Sequence, residues 1–146
     1  MNRIASDTPT LGFLVATVSR LMRRQFGQRL DSSRHLTLAQ ARALGYIARH
    51  PGVRQVQLAE VLEVQPISLA RLIDQLEAAG LVQRRSDPSD RRAYQLFVRP
   101  AAQKQLTQMA PVMDEVYQVA LQGLTPQEVN TLERLLMRVQ DNLSSR

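Results

Sequence analysis

Four side chains able to donate or accept hydrogen bonds recur along one stretch of this chain: Gln65, Ser68, Arg71 and Gln75. Ser68, Arg71 and Gln75 are spaced by three and four residues, which puts them in a row along one side of a helix. Leu69, Leu72, Ile73 and Leu76 recur at the same spacings on the other side and supply a face to bury. An exposed row of hydroxyl, guanidinium and amide groups on a helix anchored from behind can read base edges, because a helix fits the DNA major groove. Ser68 and Arg71 are the expected readers from the face and Gln65 from the helix start, with Gln75 nearer the nucleic-acid backbone. Arg71 has a competing role, a surface pair with Asp74 three residues on. Downstream, Arg84 and Arg85 suit either a phosphate contact or a solvated strand edge.

Bond-making chemistry has no comparable support. His35 and His50 lie in or beside loops, with no Ser/His/Asp set and no second histidine at ligand spacing. No glycine-rich phosphate loop follows a strand, and the absence of cysteine excludes disulfides and thiolate metal sites. Neither catalysis nor a cofactor nor a metal is expected. The N-terminal apolar run from Leu11 to Val18 is broken by Gly12, Ala16 and Thr17, so no signal peptide is expected, and no run approaches the roughly 20 residues of a membrane span. A cytoplasmic protein follows as the expectation.

Charge agrees with a polyanionic partner. The 146 residues carry 19 basic against 13 acidic side chains, a net charge of +6. The excess is uneven: residues 1–100 hold 15 basic and 8 acidic groups, residues 101–146 hold 4 and 5. Lys104 is the one lysine, so arginine, with its planar fork suited to phosphate and guanine edges, carries the positive charge. Basic charge concentrated around one polar helix makes nucleic acid the expected partner.

The elements that must position these groups can be read in order. Residues 1–7 have no pattern and read as a loose tail. Thr8 and Pro9 suit a cap and first position for a helix running to about Leu30, with an apolar stripe of Leu11, Leu14, Val15, Val18, Leu21, Met22 and Phe26. Asp31 to His35 is a polar connection. Thr37-Leu-Ala-Gln40 has capping-box form and opens a second helix with Leu38, Ala41, Leu44, Ile47 and Ala48 inward, stopped by Pro51-Gly52. Val56 to Leu62 forms a short helix with Leu58, Ala59 and Leu62 inward. About three residues later Pro66 opens the polar helix and Gly80 closes it, which together describe a helix-turn-helix.

Periodicity then switches to strands. Leu81 to Arg85, a turn cluster at Ser86-Asp-Pro-Ser-Asp90, and Ala93 to Val98 form a basic hairpin, or wing. Pro100 can open a helix to about Gln122 with Leu106, Met109, Met113, Val116, Tyr117 and Ala120 on one side and Pro111 inside the pattern. Thr125-Pro-Gln-Glu128 caps a last helix to about Leu143, whose Val129, Leu132, Leu136, Val139 and Leu143 step by 3, 4, 3 and 4. So small a lobe cannot bury the stripes of the first and last two helices together, so a homodimer built from the chain ends is expected. The fold class is mainly α with a small β-wing: a winged helix-turn-helix lobe at about 37–99, and dimerisation helices at about 8–30 and 100–143.

This order of elements resembles the MarR family of winged-helix transcription regulators. The resemblance rests on Gln57-Leu-Ala-Glu60, Arg71-Leu-Ile-Asp-Gln-Leu-Glu77, Gly80-Leu-Val82 and, most specifically, the wing Asp87-Pro-Ser-Asp-Arg-Arg92. Val64-Gln-Pro and Asp74-Gln-Leu-Glu77 lean toward the SlyA-like branch. The resemblance implies a DNA-binding regulator, a homodimeric repressor on an inverted-repeat operator. It assigns the wing arginine to the minor groove, where Arg92 matches, with Asp90 bracing the hairpin and Arg91 a second candidate. It also implies a small aromatic or anionic effector between the dimer helices and the DNA-binding lobe, where Met22, Phe26, Tyr46, Met109, Met113 and Tyr117 are candidate lining residues. The competing reading is a winged-helix protein–protein interaction module that does not bind DNA. Two positions depart from the family pattern: Val98-Arg99 replaces Leu-Thr after the wing, leaving Arg99 free to reach phosphate, and Glu63 stands where the turn usually holds glycine.

Overall fold

The computed structural model describes residues 8–30 and 36–144. The expected tail at 1–7 and the connection from Asp31 to His35 lie outside the described residues. Among the described residues six α-helices are present: α1 (Leu11–Arg29), α2 (Leu38–Arg49), α3 (Gln55–Leu62), α4 (Pro66–Ala78), α5 (Gln103–Ala120) and α6 (Pro126–Ser144). A three-stranded antiparallel sheet in the order β1-β3-β2 lies among them, from β1 (Val53–Arg54), β2 (Val82–Asp87) and β3 (Asp90–Val98).

The winged lobe holds the main core. Leu44 and Ile47 of α2, Leu58 and Leu62 of α3, Leu69, Ile73 and Leu76 of α4, and Val82 and Leu96 of the sheet form one buried cluster. The expected inward sets of α3 and α4 are found there, with Leu72 half-buried at its margin, whereas of the α2 set only Leu44 and Ile47 are: Ala41 and Leu38 turn to the second core, and Ala48 is half-buried outside both. Local signals place the ends of these helices. Thr37 and Gln40 form the reciprocal capping box of α2, Oγ1 accepting from Gln40 N at 3.2 Å and Gln40 Oε1 from Thr37 N at 2.9 Å. Gly80, at φ 73°, takes the left-handed backbone past α4. That bend lets Leu81 N donate to the Leu76 carbonyl and turns the chain into β2.

A second core joins the lobe to the long helices. Phe26 of α1, Ala41 of α2, and Met109, Val112 and Val116 of α5 are buried together. Most of the α1 stripe lies outside it, with Leu11, Leu14, Val15, Val18 and Leu21 exposed, and α6 buries no residue at all. The expected Thr125–Glu128 capping box is present, with Thr125 N donating to Glu128 Oε2 at 2.8 Å. The two hydrogen bonds from Thr125 hold the Glu128 carboxyl below its ordinary range. Pro111 lies inside α5, as expected.

Several boundaries differ from the sequence expectation. Thr10, not Thr8, caps α1: its Oγ1 accepts from Phe13 N, so Pro9 precedes the helix instead of opening it. Pro100 opens a single 3-10 turn (Pro100–Ala102) before α5 begins. Val53–Arg54 is a strand that alternation cannot signal over so short a run, created by pairing Val53 with Leu96 and Arg54 with Gln95. The returning strand β3 starts at Asp90 and not Ala93, because cross-strand bonds to β2 carry the ladder into the polar tip.

Candidate nucleic-acid interface

The exposed face of α4 is assembled from behind. Leu69, Ile73 and Leu76 are each at most 1% exposed, which fixes the helix rotation and turns Gln65, Ser68, Arg71 and Gln75 outward, all four exposed. Arg71 makes no side-chain hydrogen bond or ion pair among the described residues. Its competing partner Asp74 is instead occupied by Arg84, 2.7 Å away. Ser68 and Gln65 likewise leave their side-chain polar groups open, whereas Gln75 Oε1 accepts from Gln40 Nε2 at 2.9 Å and is steadied by α2.

The turn before α4 contains a real departure. Glu63 has φ 55° and ψ 43°, left-handed backbone on a residue with a side chain. The conformation costs about 1–2 kcal/mol without glycine. It is held because Val64 N donates to the Ala59 carbonyl at 3.0 Å, closing α3 and aiming the chain into α4.

Arg84 is a correction to the expected interface. Its side chain is 17% exposed, and every guanidinium nitrogen has a partner. Nε donates to Gln55 Oε1 at 2.9 Å, Nη2 to the Ala70 carbonyl at 3.0 Å, and Nη1 lies 2.7 Å from Asp74 and 3.5 Å from Glu77. The reason is strand alternation. Arg84 stands opposite Leu96 on the sheet face packed toward α4, so its guanidinium is engaged within the lobe and not on a solvated strand edge. It ties α3, α4 and β2 together. Arg85 faces the other way, exposed, with its guanidinium 4.2 Å over the Phe97 ring.

The wing tip is braced mainly by a residue outside the expected set. Asp87 is buried at 4% exposure, and its Oδ1 accepts from Ser89 N at 2.8 Å and Ser89 Oγ at 2.7 Å. Oδ2 accepts from Arg54 Nε at 2.7 Å, and Arg54 Nη2 donates to Ser89 Oγ. These bonds, those from Ser89 foremost, hold the Asp87 carboxyl below its ordinary range. Asp90 is exposed and contributes one local bond, Oδ1 accepting from Arg92 N at 3.0 Å. The Arg54–Asp87 pair spans 33 residues and exists because β1 adds to β3, so nothing local in the sequence signals it. Beyond this brace, Arg91 and Arg92 are exposed, and their guanidinium groups have no partner among the described residues. Arg99 is exposed as well.

A cavity of about 720 Å³ lies where α1, α2 and α5 meet. Met22, Phe26, Tyr46, Met109 and Met113 line it as expected, together with Arg23 and Arg42, but Tyr117 does not. Burial, then the nearby Arg23, lowers the pKa of Arg42, with Glu63 opposing the shift. No group of three or more His, Cys, Asp or Glu side chains suited to a metal occurs among the described residues. No helix there is long and apolar enough to cross a membrane.

With this geometry in view, comparison with known proteins is informative. A family model described as the MarR family matches residues 36–93, from the start of α2 into the wing. The transcriptional regulator PA3341 is similar along 94% of this chain and 100% of its own, at 33% identity and TM-score 0.80. Wild-type MarR from E. coli, in its apo form, is 29% identical over 92% of this chain and 98% of that one, at TM-score 0.73. The transcriptional regulator SlyA, 24% identical, shares the fold at TM-score 0.74 over 94% of this chain and 96% of its own. The matched helix-turn-helix and wing, set in an architecture shared from α1 to α6, place this chain in the MarR family of winged-helix transcription regulators.

Proposed function

We propose that the protein is a sequence-specific double-stranded DNA-binding regulator, acting as a homodimeric repressor on an inverted repeat. The observation that carries this reading is the contrast among arginines. Arg54 and Arg84 are consumed inside the fold, while Arg71 on α4 and Arg91 and Arg92 on the wing tip are exposed with no partner among the described residues. A fold that satisfies Arg54 and Arg84 yet leaves the arginines of α4 and of the wing tip free presents those two neighbouring elements to an outside anion. Arg71, Ser68 and Gln65 suit base edges in the major groove. Arg92, on a hairpin too thin to fill that groove, suits the minor groove, with Arg91 as a second candidate. Gln75, Arg85 and Arg99 suit contacts with the nucleic-acid backbone, and residues 37–99 act as the DNA-binding lobe in this reading.

The dimer reading is supported by unburied apolar surface. Leu132, Leu135, Leu136, Val139 and Leu143 on α6 and the outer stripe of α1 are exposed in the single chain, apolar stripes of the kind that another chain would cover. Release by a small effector is supported by the cavity, where apolar walls meet Arg23 and Arg42, two like charges that an anionic aromatic molecule would relieve. Gel shifts on random duplex DNA and duplex RNA at two salt concentrations test the reading. Salt-sensitive binding of DNA in preference to RNA is expected, since a helix cannot enter the deep, narrow RNA major groove. Binding of neither would favour the protein-interaction module.

A further inference from the structure

One large apolar side chain stands on the side of α4 that is otherwise polar. Ile67 is 67% exposed, whereas Leu69, Ile73 and Leu76 are buried and Leu72 is half-buried in the core. A lone exposed apolar residue is ordinary on a protein surface, so its position has to decide whether it matters. Ile67 is the second residue of α4 and precedes Arg71 by four, so the two are neighbours on one helix face. Ile67 lies on the N-terminal side of Arg71, toward the end of a recognition helix that contacts base edges. Gln65 and Ser68 flank it, both exposed, and it belongs to neither core cluster. Its branched Cβ leaves essentially one side-chain rotamer in a helix, so the apolar surface it offers is fixed in direction. In the major groove, the base-pair edges offer such a surface one apolar partner, the C5-methyl of thymine.

We propose that Ile67 determines part of the operator sequence by packing on the C5-methyl group of a thymine in each half-site. The inference rests on the DNA-binding reading above. The four residues from Ile67 to Arg71 span about 6 Å along the helix axis, against about 3.4 Å per base step. The thymine therefore lies about one or two base pairs from the base that Arg71 reads.

The test uses duplexes selected by the wild-type protein from a random library, resynthesised with deoxyuridine for thymine in the half-site cores, which removes only the methyl group. Wild-type affinity should fall about fourfold for each contacted methyl, as expected for one buried carbon. Ile67→Ala and Ile67→Ser, at an exposed position outside both cores, should fold normally and bind the thymine and uracil duplexes equally well. Equal wild-type binding of the two duplexes would overturn the proposal, and so would variants that retain the full methyl dependence. Failure of the wild type to select any duplex is a distinguishable result, because it overturns DNA binding itself and the inference with it.

Discussion

Among single residues, the division of labour within the arginines makes opposite predictions for side chains of the same type. Arg71→Ala removes a free guanidinium and should cost about 1–3 kcal/mol on the preferred site while relaxing base preference beneath it. Selection of bound sequences by the variant checks this, and an equal loss on every sequence would instead mark Arg71 as a phosphate contact. Arg84→Ala should act through the fold. It removes bonds to Gln55, Ala70 and Asp74 at once, so thermal unfolding should register a loss of about 1.5–3 kcal/mol, the range for hydrogen bonds to charged groups. Its binding loss should fall evenly on all sequences, since α4 loses its tie to the wing and not a reading group. Glu63 belongs to the same scale. Its left-handed backbone means that Glu63→Gly should stabilise the protein by up to about 1 kcal/mol, the relief of strain being partly offset by the greater freedom of glycine when unfolded. A lower denaturation midpoint for the variant would contradict the strain argument.

Among elements, the wing is the one whose shape depends on a few polar bonds. β2 and β3 pair from Val82–Val98 down to Ser86–Tyr94, where a bulge precedes the tip. Beyond that point no buried apolar residue holds the hairpin, and Asp87 takes over with Ser89 and Arg54 as partners. Because the native Asp87 pKa is depressed, its bonds stabilise the wing fully above the ordinary carboxylate value of about 3.9 and are lost as pH falls through the lower native value. Asp87→Ala should therefore loosen the wing at pH 7, seen as faster amide exchange across β2 and β3, and the difference from wild type should vanish in strong acid. A difference unchanged at low pH would show that the carboxylate is not the brace. Arg92→Ala should leave the wing intact but make the salt dependence of binding shallower by about one unit per removed contact, most visibly with A·T-rich flanks. An unchanged salt slope and flank preference would mean that the wing does not touch DNA.

At the scale of the whole molecule, the winged lobe buries its apolar faces within one chain, whereas most of the apolar stripes of α1 and α6 stay exposed. Every element from α2 to β3 contributes a buried side chain or a paired strand, while α6 buries nothing and α1 contributes Phe26 alone. If α1, α5 and α6 pair two chains, the protein should sediment at about twice its 16.5 kDa mass at micromolar concentration. Charged substitutions at Leu132 and Leu136 should produce monomers or insoluble protein. A wild-type chain that is monomeric and well folded would overturn this arrangement. A dimer places two copies of α4 on one duplex, with half-site centres about one helical turn, ~10 bp, apart.

What the sequence determined by itself is whatever is carried by local spacing. The rotation of α4 follows from the Leu69, Ile73 and Leu76 period, and its two ends follow from Pro66 and Gly80. The capping boxes at Thr37 and Thr125 are complete within four residues. The candidate readers were legible because an amphipathic helix reveals its free face through the face it must bury. Tertiary structure alone decided which arginines remain free. Arg84 and Arg85 are adjacent side chains of one type, and the pairing of β2 with β3 sends one into the lobe and the other onto Phe97. The same holds for the Arg54–Asp87 brace and for β1, which exists only once β3 is there to pair with it. A strand of two residues has no period to detect, and a charge pair 33 residues apart leaves no local pattern; both depend on chain closure, which brings distant groups together.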